Sequence, residues 1–195
     1  MSRSEHIDAW IDTVSPADAT GVLKDAYDWQ SRRLGEPTEY TQLGSLMPEM
    51  VFERLRMYKV VEDVESDLTE QEKRLVIYLT SVLNQTPHCA SGARVSLDAL
   101  DVDEQLIARV VATPFEGTGD ARLDAILDYT RLLTLTPGAI AETDIDRLRS
   151  VGLSDRDIAA LNNLSAYYAY TNRVATGLGL RTFVPVQHAI AAVPE

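Results

Sequence analysis

The sequence is poor in the residues that anchor disulfide-bonded, metal-bound or membrane-spanning folds. Its 195 residues include one cysteine, three histidines, three phenylalanines and two tryptophans. A single cysteine, Cys89, rules out an intrachain disulfide and a multi-cysteine zinc site. No two histidines stand at metal-ligand spacing, and His6 and His188 read as solvated residues near the two ends. No apolar run approaches the ~20 residues of a spanning helix, and the first ten residues lack the apolar core of a signal peptide. Strand patterning is nearly missing: 182–186 is the one β-like run, and Pro185 makes it a poor central strand. Lysine is scarce too, with Lys24, Lys59 and Lys73 among 18 cations facing 30 acidic residues, for a net charge of −12. That surplus repels a phosphate backbone and an anionic membrane surface. The expectation is a soluble, cytoplasmic protein with no nucleic-acid or membrane partner, no metal and no cofactor.

What is present is a globular composition, 45% hydrophobic and 25% charged, with helix signals along almost the whole chain. Ser15-Pro16 reads as an N-cap followed by proline at the first helical position, with Gly35 as the stop. Pro48 opens a stretch in which Val51, Leu55, Tyr58 and Val61 recur at helical spacing. Thr69-Glu70-Gln71-Glu72 is a capping box, and Leu75, Val76, Leu79, Val82 and Leu83 form the stripe behind it. Thr86-Pro87 begins the next helix, and Asp101 with Glu104 begins another that ends near Pro114. Helices from Asp120 to Thr134, from Glu142 to Val151 and from Ser154 to the glycines at 177 and 179 complete the series. Gly177-Leu178-Gly179 follows no strand, so it reads as a helix end rather than a dinucleotide loop. The fold class is all-α, a single domain over 1–195 with an N-terminal extension at 1–47, a core at 48–180 and a tail at 181–195.

A weak internal repeat appears at a shift of 85 residues. Leu68-Thr69-Glu70 then falls on Leu153-Ser154-Asp155, Leu79 on Leu164, Thr80 on Ser165, Thr86 on Thr171, Ala90 on Ala175 and Gly92 on Gly177. Two helix starts share caps and leucines by chance, but this register runs across a whole helix and into the next.

Cys89 is the leading candidate for chemistry. It lies in the first turn of a helix capped by Thr86, where free amides and the positive dipole end favour a thiolate, with His88 beside it as a base. A small buried core thiol is the alternative. Tyr167, Tyr168, Tyr170, Asn172 and Arg173 form a polar-aromatic cluster, in which Tyr167, Tyr170 and Arg173 read either as a pocket or as a seam with satisfied hydroxyls. The acidic runs 62–65 and 98–104 read as solvated faces or caps.

Several of these stretches resemble the alkylhydroperoxidase D / carboxymuconolactone decarboxylase superfamily, and within it the peroxidase-related group. The similar segments are Val14-Ser15-Pro16-Ala17-Asp18-Ala19-Thr20-Gly21, Leu46-Met47-Pro48-Glu49, the stretch from Leu68 through Cys89, Asp144 to Asp155, and Tyr170-Thr171-Asn172-Arg173-Val174-Ala175. The resemblance implies an alkylhydroperoxidase D-like helical fold with a duplicated helical unit, a homo-oligomer (dimer, trimer or hexamer) and peroxidase- or peroxiredoxin-type oxidoreductase activity. Members carry a Cys-x-x-Cys pair, a His four residues after the second Cys, and a Glu on the preceding helix. Laid on this chain, those positions are Thr86, Cys89, Ala93 and Arg74. The dithiol cycle needs a second thiol to resolve the sulfenic acid, which Thr86 cannot supply, and Ala93 cannot move a proton. Three readings follow. One is a one-cysteine thiol enzyme at Cys89. Another is a non-redox decarboxylase- or isomerase-type enzyme, with a small-molecule ligand in a closed polar pocket. The last is an inactive ligand-binding or scaffold oligomer.

Overall fold

The structure is a computed structural model and describes residues 7–184. His6, His188 and the tail beyond Val184 lie outside those residues. Among the described residues the chain is all-helical, with no strand. In order the helices are α1 (Gly21–Leu34), α2 (Glu39–Leu43), α3 (Pro48–Asp63), α4 (Glu70–Leu83), α5 (Pro87–Ala99), α6 (Glu104–Val111), α7 (Ala121–Leu135), α8 (Glu142–Ser150) and α9 (Asp155–Gly177).

Local chemistry sets most of these boundaries. Thr69 accepts from the Glu72 amide at 3.2 Å while Glu72 accepts from the Thr69 amide at 2.8 Å, closing the box that starts α4. Ser154 and Asp157 close the same box on α9. Asp120 caps α7 through the amides of Arg122 and Leu123. Two expected starts are corrected. Ser15-Pro16 makes only a single turn, in which the Ser15 hydroxyl accepts from the Asp18 amide at 3.3 Å and donates to Asp18 Oδ2 at 2.8 Å, and α1 begins only at Gly21. Asp101 sits in the loop at φ +52, and Asp103 is the residue that caps α6.

Helix α4 is central. Leu75, Val76, Ile77 and Leu79 are buried against α5, α7 and α9. Helix α3 packs on both α1 and α9. The 85-residue register is visible in the matched capping boxes of α4 and α9 and in the burial of Leu79 with Leu164 and of Thr80 with Ser165. It does not reach a second helix. α4 stops at Leu83, and Gln85 takes φ +55 before Pro87, whereas α9 runs unbroken to Gly177. Proline lacks an N–H and turns the preceding residue out of helical geometry; its counterpart, Asn172, has neither property.

The segment around Trp10 meets the end of α9. Trp10 donates from its backbone to the Leu178 carbonyl at 2.9 Å, and its ring would stand 2.4 Å from a Cβ at position 179. Glycine there, at φ +83, is required both by the turn and by the indole.

Candidate functional site

Helices α1, α3, α4, α5 and α9 surround a cavity of about 500 Å³. Its wall carries Trp29, Tyr40, Tyr58, Tyr167 and Tyr168, together with Cys89, His88, Arg54, Arg74 and Glu62. This is the volume and mixed lining of a small-molecule site.

The polar centre is built from three helices. Arg74 of α4 is buried and donates from Nη2 to Glu62 Oε2 of α3 at 2.7 Å. Its Nε also donates to Glu70 one turn earlier. Tyr168 of α9 donates its phenolic hydrogen to Glu62 Oε1 at 2.5 Å. Burial works against the Arg74 charge, but Glu62, Tyr168 and Glu70 outweigh it and hold the guanidinium protonated. The Tyr168 hydroxyl is pushed well above its ordinary range by burial and then by the Glu62 charge, so it is a phenol at neutral pH. Burial raises Tyr58, which stands by the same carboxylate, in the same way.

Cys89 lines this cavity, and burial opposes the pull of the helix end toward a thiolate. Burial pushes the thiol up to about 12, overriding the helix end; the Thr171 hydroxyl and the Arg54 charge oppose that shift without reversing it. The solvent contact that leaves Cys89 half-buried is with the cavity. Thr86 does not cap α5 through its side chain. Its hydroxyl turns into the α5–α9 seam, 2.9 Å from Thr176 Oγ1 and 3.3 Å from the Asn84 carbonyl. His88 is buried, and burial lowers its pKa against the opposing pull of Thr182 and Glu39. Its Nδ1 is 3.0 Å from the Thr182 carbonyl, an acceptor, so Nδ1 carries the proton and Nε2 is left as an acceptor.

The aromatic cluster divides. Tyr167 lines the cavity and reaches the Arg54 carbonyl at 3.4 Å, while Tyr170 is 41% exposed and lies outside the wall. Arg173 is also outside, donating to the Ala169 carbonyl of its own helix. Tyr168 and Thr171 take their places. Ala93 is in the wall and offers no proton. Glu62 belongs to no solvated face: with its residue 8% exposed, it is the carboxylate of the site. Its signal was on the sequence, since Leu55, Tyr58 and Glu62 follow at i, i+3 and i+7 and share one helix face.

No protein-family model matches the chain, and no curated protein sequence does. Solved structures do. An uncharacterised peroxidase-related protein from Ralstonia eutropha JMP134, described as an alkylhydroperoxidase AhpD core, superposes with a TM-score of 0.80 at 17% identity, over 97% of this chain and 100% of that one. A second uncharacterised peroxidase-related protein, from Silicibacter sp. TM1040, gives 0.77 at 22% identity over 96% and 98%. The debrominase Bmp8, as a cysteine-to-alanine variant in complex with 2,3,4-tribromopyrrole, gives 0.69 at 14% identity over 95% and 97%. At these identities the likeness shows the fold, which is the alkylhydroperoxidase D-like helical fold that the sequence resemblance implied.

Proposed function

We propose that this alkylhydroperoxidase D-like chain is a small-molecule enzyme of the non-redox, proton-transfer type, working in the α3–α4–α5–α9 cavity. The observation that carries this reading is the Glu62–Tyr168–Arg74 constellation: a carboxylate held in the cavity wall by two donors, with a phenol on one of its oxygens. Glu62 takes a proton from a substrate carbon next to a carbonyl and returns it to the same or another carbon. Tyr168 turns its hydroxyl from Glu62 to the substrate oxygen while charge develops there, and Arg74 fixes the carboxylate throughout. Proton count and electrons balance, as in an isomerase; in a decarboxylase variant the bond to the carboxylate breaks in place of the C–H bond, and the proton that replaces carbon dioxide comes from solvent water.

The test is deuterium incorporation in D2O, followed by NMR, over a panel of unsaturated keto compounds. Protein-dependent exchange that survives Cys89→Ala and is lost in Glu62→Gln supports the reading. Exchange that is absent throughout, or indifferent to Glu62, overturns it.

A second reading, a one-cysteine thiol enzyme, is favoured by the place of Cys89 in the same wall and by the cysteine variant in which Bmp8 holds its bromopyrrole. Burial of the thiol opposes it. We also propose a homo-oligomer, because Met50, Met57 and Val60 lie on one exposed face of α3. Sedimentation giving only the single-chain mass at micromolar concentration would refute that assembly.

A further inference from the structure

We infer that the ligand of this cavity is a small aromatic carboxylate, its ring among the tyrosines and its carboxylate on Arg54. The inference rests on the cavity being a ligand site and deepens the reading above by naming the ligand class.

The chain as a whole is acidic, with a net charge of −12. Around the cavity the balance reverses. Arg32, Arg33, Arg54, Lys59 and Arg74 line it, against the carboxylates of Glu62 and Asp63. Those two carboxylates are already engaged, Glu62 by Arg74 and Asp63 by Lys59. Arg32, Arg33 and Arg54 make no ion pair among the described residues. Arg32 and Arg33 stand in the last turn of α1, where the helix dipole accounts for a cation. Nothing of that kind accounts for Arg54, in the middle of α3.

Arg54 is held ready. Its Nη2 donates to Thr41 Oγ1 at 2.8 Å, and its guanidinium lies 4.5 Å from the centre of the Tyr40 ring. It is near enough to Cys89, Tyr40 and Tyr167 for its charge to be felt by all three. One Nη donor is spent on Thr41 and the Tyr167 hydroxyl is also within reach of the guanidinium, which leaves the remaining donors of the fork for a partner. A planar fork with free donors, fixed by stacking in a half-buried wall, matches a carboxylate in two-point contact. The rest of the wall selects the body of the ligand. Trp29, Tyr40, Tyr58, Tyr167 and Tyr168 offer ring faces and edges, and the volume of about 500 Å³ admits one or two fused rings. The buried Tyr40 hydroxyl finds no hydrogen-bond partner among the described residues, so a polar ring substituent would find a partner there after a small shift of the ring. The unpaired Arg32 and Arg33 at the wall's exposed edge add a positive field that draws an anion in.

The test is calorimetric titration of the full chain with 2-naphthoate and with its neutral counterpart 2-naphthamide at low ionic strength. The expected result is naphthoate bound about tenfold or more tighter than the amide, the size of one charge-assisted contact. Arg54→Gln should bring the two affinities within about twofold while leaving the amide unchanged, and Arg54→Lys should keep part of the preference. Helicity and melting temperature of each variant establish that it is folded, and where Arg54→Gln is not, the Lys variant and the wild-type acid–amide pair decide. Equal binding of acid and amide by the wild type, a preference indifferent to Arg54, or no binding of either at millimolar concentration overturns the inference. The proton-transfer reading fails separately. Naphthoate held by Arg54, with no Glu62-dependent deuterium exchange in any panel compound, sinks that reading and leaves the ligand class standing.

Discussion

Tyr168 and Glu62 meet across the α3–α9 seam at 2.5 Å, with the phenol donating to the carboxylate whose other oxygen holds Arg74. The pair settles which change the fold tolerates less. Glu62→Ala strips Arg74 of its buried partner and leaves only Glu70 to balance the charge, a loss of about 3–5 kcal/mol for a broken buried pair. Tyr168→Phe removes one hydrogen bond to a charged acceptor, about 1.5–3 kcal/mol. Urea unfolding should rank Glu62→Ala as the more severe. The reverse order would mean that the ring, not the ion pair, carries the seam.

Burial of Cys89 fixes how its thiol reacts. With its pKa pushed up to about 12, the thiolate is a trace species at neutral pH. The rate of alkylation by iodoacetamide under native conditions should therefore rise with pH through 9 and 10 without levelling off, and hydrogen peroxide should not be consumed at pH 7. A plateau near pH 7 would restore the thiol-enzyme reading. The linkage has a fixed sign: a thiol raised in the folded state draws stability down as pH climbs from its ordinary value toward the raised one.

The opposite sign holds at His88. Its pKa is lowered by burial, so between that lowered value and the ordinary 6.5 the unfolded chain binds more protons. The stability that the neutral ring contributes is complete above pH 6.5 and is lost as pH falls through the lowered value. The stability difference between wild type and His88→Gln should be constant above about pH 7 and shrink below it. A difference that grows on acidification would place a charged ring against Glu39, 3.9 Å away, rather than a neutral one against the Thr182 carbonyl.

Much of the helical architecture was legible because its causes are local. The boxes at Thr69–Glu72 and Ser154–Asp157 and the cap at Asp120 each involve residues within three positions. Ser15 misleads for a similar reason: its hydroxyl does accept the Asp18 amide, but the turn it closes goes no further and α1 starts at Gly21. Helix α2 left no periodic signal, being only five residues long. The site was legible in its members more than in its state. Cys89, His88 and Tyr167 share one wall while Tyr170 and Arg173 do not, and Arg74 stands in the sequence only as the position where the family's Glu is replaced; the thiol's protonation depends on α3, α5 and α9 closing over it, a tertiary fact that no local rule contains. Glu62 looked solvated among its acidic neighbours, and only the approach of Arg74 from α4 makes it an interior carboxylate.

The Thr86 hydroxyl points away from the helix that it precedes. A capping role would place it on an amide of the first turn of α5, and truncation would then fray that turn. Instead it lies 2.9 Å from Thr176 Oγ1, bridging the start of α5 to the end of α9. Replacing either residue by valine keeps the shape and removes one hydroxyl, so a double-mutant cycle isolates the bond. Thr86→Val and Thr176→Val should each destabilise the chain. The double variant should cost less than the sum of the two by about 0.5–1.5 kcal/mol, the net worth of one buried hydrogen bond. Hydrogen exchange gives the second readout. The amides of His88 and Cys89 gain nothing from the Thr86 side chain, so their protection relative to the rest of α5 should be unchanged in Thr86→Val. Zero coupling in the cycle, together with selective loss of protection at those two amides, would return Thr86 to the role of a cap.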